Sequence, residues 1–376
     1  MELVNTSKVQ EFVLVGFGDQ HQIRHLLVVI FAVLYILTLT ENIVIIMLVF
    51  LDSHLAQLPM YVFLSNFSWL EMCYVTTTVP RMLYDLVTSK GNISFHACFL
   101  QFYIFFSLGS TECFFLSAMA LDRYIAICHP LHYLQLMSKF ICSALVSACW
   151  ILGFLWYIVP VILISKLSFC GSNIINHLLC DPGPILSLAC PPLGMIPFIC
   201  QVFMNTMFAV NLIFVVLSYG MVILTLTKKS SQGRQRKTFS TILFHLVVVT
   251  LFYGSVAGVY LTPGGESQSG TNRLATIFYT IITPLLNPLI YCLRNGQVKE
   301  ALGRLLKRKM RPEVIHHPVN VDTFGISWQV QCHIIVSVIA MDNPQNYLTE
   351  GKFVSKSSTL EYATASIYAR IFLYSG

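Results

Sequence analysis

The sequence predicts an all-α membrane protein: a bundle of seven transmembrane helices followed by a short amphipathic helix. Three observations lead there. The chain is 56% hydrophobic and only 11% charged, with a mean hydropathy of +0.70. A soluble chain carries about a quarter charged residues, so this much apolar surface has to face lipid. Seven apolar stretches are each long enough to cross a hydrocarbon core, which takes about 20 helical residues. Finally, the basic residues gather on one side of the bilayer that such a threading defines.

The stretches run roughly from Leu26 to Leu51, Pro59 to Leu86, Ala97 to Ile127, Phe140 to Ile164, Ile196 to Leu226, Thr238 to Leu261 and Leu274 to Leu293. Several exceed a straight span, which implies tilt or extension beyond the bilayer. The segment from Met1 to Gln22 is polar and lacks the short apolar core and cleavage site of a signal peptide, so the first stretch is expected to act as an uncleaved anchor. Lys228, Lys229, Arg234, Arg236 and Lys237 lie between the fifth and sixth stretches. Arg294, Lys299, Arg304, Lys307, Arg308, Lys309 and Arg311 follow the seventh, and Arg123 and Lys139 flank the loop after the third. The other side holds only Lys8, Arg24, Arg81, Lys90, Lys166 and Arg273. The N-terminus is therefore expected outside. Asn5-Thr6-Ser7 then becomes a glycosylation acceptor in an outer tail, whereas Asn92-Ile93-Ser94 lies close to the membrane and Asn66-Phe67-Ser68 within a span. The net charge of +6 forms no aromatic-interleaved basic face, so nucleic acid is not an expected partner.

Past the seventh stretch, residues 295–311 place Val298, Leu302, Leu305 and Leu306 at helical spacing opposite a basic face. That pattern suits a helix lying on the inner membrane surface. Residues 312–376 are aperiodic, and their one apolar run, Ile334 to Met341, is too short to span. The expected organisation is an outer N-terminus (1–25), a receptor-like bundle (26–294), the surface helix (295–311) and a disordered inner tail (312–376).

Four cysteines fall in outer loops or at their edges: Cys98, Cys170, Cys180 and Cys190. Outside is oxidising, and four cysteines allow three pairings. The others read as small buried hydrophobes. His177, Cys180 and Asp181 have a spacing that suits a soft metal such as copper, a lesser reading that a disulfide at Cys180 would exclude.

Polar groups in an apolar chain carry the functional signal. The run Met119 to Pro130, MALDRYIAICHP, puts Asp122, Arg123 and Tyr124 at the end of the third stretch. Arg stays charged and needs acceptors, and Asp122 is the nearest, which makes a latch that one state holds and another releases. A basic helix end reaching headgroups explains one Arg but not the whole run. Glu71 and Glu112 lie at membrane depth, either functional or neutral and bridging helices. In Asn287-Pro288-Leu289-Ile290-Tyr291, Pro288 removes a backbone donor and is expected to kink the helix, with Asn287 serving the freed groups and Tyr291 able to swing. Glu71, Glu112 and His245 do not form a catalytic set at one depth, which argues against an enzyme, and no internal repeat supports a transporter.

MALDRYIAICHPLHY resembles the MAYDRYVAICxPLxY signature of vertebrate olfactory receptors, in the rhodopsin-like G-protein-coupled class, with Leu121 in place of the usual Tyr. PMYVFLSNFSWLE, LSYGMVI, KTFSTILFHL, LFYG and PLLNPLIYCLRN follow in the family's order, so the resemblance covers roughly residues 10 to 310. It implies a G-protein switch at Asp122, Arg123, Tyr124, Tyr219, Asn287, Pro288 and Tyr291. It also implies a sodium-holding or protonating acid at Glu71, partnered by Asn42 and Asn287. Of the possible pairings it selects Cys98 with Cys180, leaving Cys170 with Cys190. The implied partners are a small odorant, a stimulatory heterotrimeric G protein acting through cyclic AMP and the lipid bilayer, with no cofactor, at the plasma membrane of sensory cilia. Ile242 and Phe244 replace the usual Cys and Ser, and Glu41 departs from the usual small residue.

The default ligand site of such a bundle lies between the third, fifth, sixth and seventh helices. Counting up from Arg123, the third helix offers Phe105, Phe106, Gly109 and Ser110. The fifth offers Phe203, Met204 and Met207, the sixth Tyr253, Val256, Ala257 and Tyr260, and the seventh Ile277 and Thr280. Receptors for amines carry an Asp where Phe105 and Phe106 stand. This lining suits small neutral molecules held by dispersion and one hydrogen bond. A receptor for a peptide or charged metabolite would want charges here; a rhodopsin-like receptor for a non-odorant small metabolite is the nearest alternative.

Overall fold

The computed structural model describes residues 9–16, 23–88, 91–170, 172–229, 232–260, 269–292 and 296–309. The chain divides into a unit from Met1 to Ile339 and another from Ala340 to Gly376, and every described residue belongs to the first. Asn5 and the tail from residue 312 therefore lie outside the described residues. So do the side chains of Tyr260, Tyr291, Leu305 and Leu306.

The first apolar stretch forms α1 (Arg24–Leu51) and the second α3 (Pro59–Thr88), joined by the single turn α2 (Ser53–Ala56). These two helices show why composition had to be read by face. On α1, Leu26, Val29, Val33 and Ile36 are at least half exposed, a surface that water would penalise and lipid accepts. On α3, every residue from Phe63 to Val79 is buried, so its Ser65, Asn66, Glu71 and Thr76 face protein rather than hydrocarbon.

The third stretch forms α4 (Phe95–Cys128), which starts where Ser94 Oγ accepts the Ala97 N–H at 3.3 Å. It packs between α3, α6 (Lys139–Trp156) and α9 (Ile196–Lys229) and is the axis of the bundle. A single turn, α5 (Tyr133–Leu136), lies in the loop before α6. A Cβ on Gly153 of α6 would come 2.8 Å from the Thr111 Cα on α4, so only glycine lets these two backbones cross so closely.

Three helices depart from the sequence expectation. The fourth span breaks at Tyr157, where α6 hands over to α7 (Ile158–Ser165). Pro160 lacks an N–H and its ring crowds the Trp156 carbonyl four residues back, so the break falls just ahead of it. The sixth, α10 (Gln232–Tyr260), starts well before Thr238, so most of the basic stretch between the fifth and sixth spans is helical. The seventh comprises α11 (Ser269–Ile277), a π-helical turn (Phe278–Ile282) and α12 (Thr283–Cys292). Its irregular turn precedes Pro288, which itself sits inside α12. Four spans, Arg24–Leu51, Phe95–Cys128, Lys139–Ser165 and Ile196–Lys228, are long and apolar enough by themselves to cross a membrane.

The end of the bundle expected to face outward, called the outer end, adds a small sheet that the sequence reading missed. Strand β1 (Glu11–Leu14) pairs antiparallel with β2 (Asn92–Ser94) and parallel with β3 (Ile174–Ile175), in the order β2-β1-β3. Phe12 is fully buried against Phe95 and Phe169. Disulfides join Cys98 to Cys180 and Cys170 to Cys190. Between them the second outer loop turns through α8 (Pro182–Ser187), capped by Asp181.

The surface helix α13 (Gly296–Lys309) buries Val298 and Ala301 and leaves Leu302 exposed. Tyr61 Oη donates to Gln297 Oε1 at 2.9 Å, and Arg304 donates to Asp52 Oδ2 at 2.9 and 2.7 Å. Burial alone would raise the Asp52 pKa, but the Arg304 bond and the Leu55 and His54 N–H groups outweigh it and hold the carboxyl below its usual range.

Candidate functional site

Two sites lie along α4. At its inner end Arg123 donates through Nε and Nη2 to Asp122 Oδ2, at 3.0 and 2.6 Å. Asp122 is 1% exposed, and its Oδ1 accepts from Tyr133 Oη at 2.8 Å. Burial and then the Asp122 charge push the Tyr133 pKa up, so its hydroxyl keeps the proton it donates. Tyr124 lies off this network, its Oη 3.3 Å from His129 Nε2. Tyr219 on α9 is buried, its Oη without a hydrogen-bond partner among the described residues and its ring 5.3 Å from that of His245 on α10. The arrangement is a closed latch: the guanidinium is held by its own neighbour, with Tyr219 close but not engaged. Sequence reasoning missed Tyr133, although the PLHY end of the signature contains it.

Glu71 is fully buried, and its Oε1 accepts from Asn287 Nδ2, tying α3 to α12 beside the buried Pro288. Asn42 does not join them; its Nδ2 donates to Thr38 O at 2.9 Å in its own helix. One oxygen each of Glu71 and Glu112 lacks a partner among the described residues.

In the outer half, α3, α4, α9, α10 and the seventh helix enclose a cavity of about 80 Å³. Of the residues singled out from sequence, Phe105, Phe106, Gly109, Ser110, Met204, Met207, Val256 and Ala257 line it. Five do not, or cannot be placed there. Phe203 packs under Trp156, whose Nε1 donates to the Phe203 carbonyl at 3.2 Å. Tyr253 is buried beside the cavity, its ring 4.8 Å from that of Phe208. Ile277 packs toward α1 and α3, and the Thr280 hydroxyl donates to Thr276 O. The Tyr260 side chain lies outside the described residues.

The sequence reading overlooked Tyr74, Cys113, Tyr157, Asn205, Phe208, Phe252 and Tyr279 as lining residues. Tyr74 and Tyr157 come from the second and fourth spans, which the default site left out. Cys113 is one turn below Gly109 and was within reach of the same helical count. Between cavity and latch, Ser117 Oγ donates to Asn211 Oδ1 at 2.8 Å, while Asn211 Nδ2 donates to the carbonyl of Met207, a cavity residue.

His177, Cys180 and Asp181 do not converge on an ion. Cys180 is in a disulfide, Asp181 caps α8, and the His177 nitrogens face Leu179 O and Thr276 Oγ1 at 3.2 and 3.4 Å. Among the described residues no group of three or more His, Cys, Asp or Glu is arranged to hold a metal.

A sequence model of the olfactory receptor family matches residues 31–309. The human protein Olfactory receptor 11G2 is 48% identical over 300 residues, covering 80% of this chain and 87% of that protein. Human Olfactory receptor 11H6 is 47% identical, covering 79% and 90%, and human Olfactory receptor 6B1 is 44% identical, covering 81% and 97%. These matches carry the seven-span bundle and the receptor function with them, and they set enzyme chemistry aside. The chain belongs to the olfactory receptor family.

Proposed function

We propose that this receptor binds small, mostly neutral odorants in the outer cavity and activates a stimulatory heterotrimeric G protein, raising cyclic AMP. The observation that carries the reading is the pairing of an apolar cavity and a closed Arg123–Asp122–Tyr133 latch on one helix, α4. A ligand shifts the receptor only by binding one arrangement better than the other. In the active arrangement Arg123 leaves Asp122, Tyr219 and Tyr291 turn toward it, and the helix around Pro288 repacks. Glu71, with Asn287, serves as the polar hinge between α3 and α12 that a sodium ion or a proton biases.

The receptor sits in the plasma membrane of sensory cilia with its N-terminus outside, where Asn5 is a glycosylation acceptor. Its two outer disulfides hold the second outer loop over the bundle. The receptor unit is 26–294, with the amphipathic helix 295–311 and the tail 312–376 on the cytoplasmic side. The test is an odorant panel on cells that display the chain and carry a cyclic AMP reporter. A concentration-dependent rise for at least one neutral odorant is expected. A ligand that signals only through calcium release, or a response confined to charged metabolites, would overturn the reading.

A further inference from the structure

The second outer loop is packed down onto the bundle. His177, Leu178, Leu179, Cys180, Asp181 and Ile185 are each 6% exposed or less. This loop is tied to α4 by the Cys98 disulfide and by the Cys180 N–H bond to Gln101 Oε1 at 3.2 Å, and to α11 at Thr276. The flank facing lipid is different. Asn205 on α9 lines the cavity yet is exposed, and Met204, Phe208, Val256 and Ala257 are half-exposed.

The helices α9 and α10 meet through the Phe208–Tyr253 ring pair. They run antiparallel, so Asn205 and the Val256–Ala257 pair each lie about one turn outward from that contact. Their side chains are short, and a Cβ added at nearby Gly254 would meet nothing within 4 Å. Among the described residues the flank above the ring pair is thus lined by short side chains, a slot with the cavity behind it. Gln201 Nε2 donates to Asn205 Oδ1 at 3.3 Å, which commits the Asn205 oxygen and leaves its Nδ2 as a donor at the slot. An exposed amide pair at membrane depth is costly and reads as functional.

We infer that ligands enter this cavity sideways, from the outer leaflet through the slot between α9 and α10, and that Asn205 selects neutral molecules carrying a hydrogen-bond acceptor. Aldehydes, ketones and esters are the class. Such molecules partition into the bilayer with the carbonyl toward the headgroups and the chain in hydrocarbon. That orientation brings the acceptor to Asn205 while the apolar end slides in among Phe105, Phe106 and Phe252. The inference rests on the cavity being the odorant site.

The experiment uses the full chain in reporter cells, a panel of monofunctional aldehydes, ketones and esters with their parent hydrocarbons, and the most potent carbonyl compound as probe. Asn205→Leu should weaken that probe by about three- to tenfold, the worth of one hydrogen bond. Ala257→Phe should slow onset and washout together, by more than it changes potency, because a narrowed entrance lowers both rate constants alike. Ala257→Leu serves if the Phe variant fails to reach the surface. Potency loss at unchanged kinetics would show that Ala257 only lines the cavity and would overturn the side entrance. A panel in which no carbonyl compound acts, or an Asn205→Leu receptor with normal potency, would overturn the ligand class. Gly109→Leu separates the two levels: if it too leaves potency untouched, the cavity itself is not the odorant site.

Discussion

The two ends of α4 obey opposite rules. At the inner end both oxygens of a buried carboxylate are taken, one by Arg123 and one by Tyr133, in short directional bonds. In the outer half the same helix presents Phe105, Phe106, Gly109 and Ser110 to a cavity walled by rings and methionines. Directional bonds to a charge admit few geometries, so the inner end is suited to two discrete states. Dispersion is individually weak and indifferent to direction, so the outer half tolerates variation in ligand shape. Under the proposed function the difference teaches how one output can serve many inputs: specificity would sit where the physics is soft, and the switch where it is stiff. The Ser117–Asn211–Met207 connection lies between them and is a polar link that reaches a cavity residue.

The largest expected effect breaks the stiff end. Arg123→Ala should abolish the cyclic AMP response while surface labelling stays near wild type, since the residue serves the switch more than the packing. A variant that traffics and signals normally would leave only a headgroup anchor. Next comes the soft end. Gly109→Leu places a branched side chain beside Tyr74, whose Oη would be 3.5 Å from the first added carbon. Overpacking of this kind costs about 1–3 kcal/mol, so the concentration for half-maximal response should rise roughly tenfold for bulky odorants and less for small ones. An equal shift for all odorants would mean the bundle, not the cavity, had changed.

Tyr133→Phe is subtler. It removes one donor from Asp122 and leaves the Arg123 pair alone, which should loosen the latch and raise ligand-free signalling about two- to tenfold. Basal activity unchanged from wild type would show that Tyr133 is only a packing neighbour. The smallest effect tests where the comparison stops. Truncation after Arg311 should leave both potency and maximal response as they are, because both ends of α4 are complete without it. A loss of response at normal surface level would give the tail a role in the switch.

Much of the inner site was legible because it is local. Asp122 and Arg123 are adjacent in sequence, so no tertiary knowledge is needed to see that they can pair. Asn287 and Glu71 are far apart in the chain, and only the resemblance to a known family brought them together; Asn42, assigned by the same resemblance, turned instead to Thr38. The cavity was legible in part. Counting along α4 found Phe105, Phe106, Gly109 and Ser110 but stopped short of Cys113, whereas Tyr74 and Tyr157 belong to helices whose rotation about their axes no count from Arg123 can supply. The break at Tyr157 shows the same limit: Pro160 announced trouble, and its exact consequence depended on what surrounds that turn.

By itself the sequence determined that the chain spans a membrane, roughly where its helices lie, and that Asp122 and Arg123 can pair. Those properties follow from composition, from periodicity and from neighbours in the chain, all short-range quantities. Only the tertiary structure decided that α3 would be buried on every side from Phe63 to Val79, that an N-terminal strand would join the outer sheet, and that Tyr133 would reach back to Asp122. It also decided that Asn205 would stand between cavity and lipid. Each of these depends on how one helix or strand is turned toward another. Packing and desolvation across the whole bundle set those rotations, and no stretch of the chain encodes them alone.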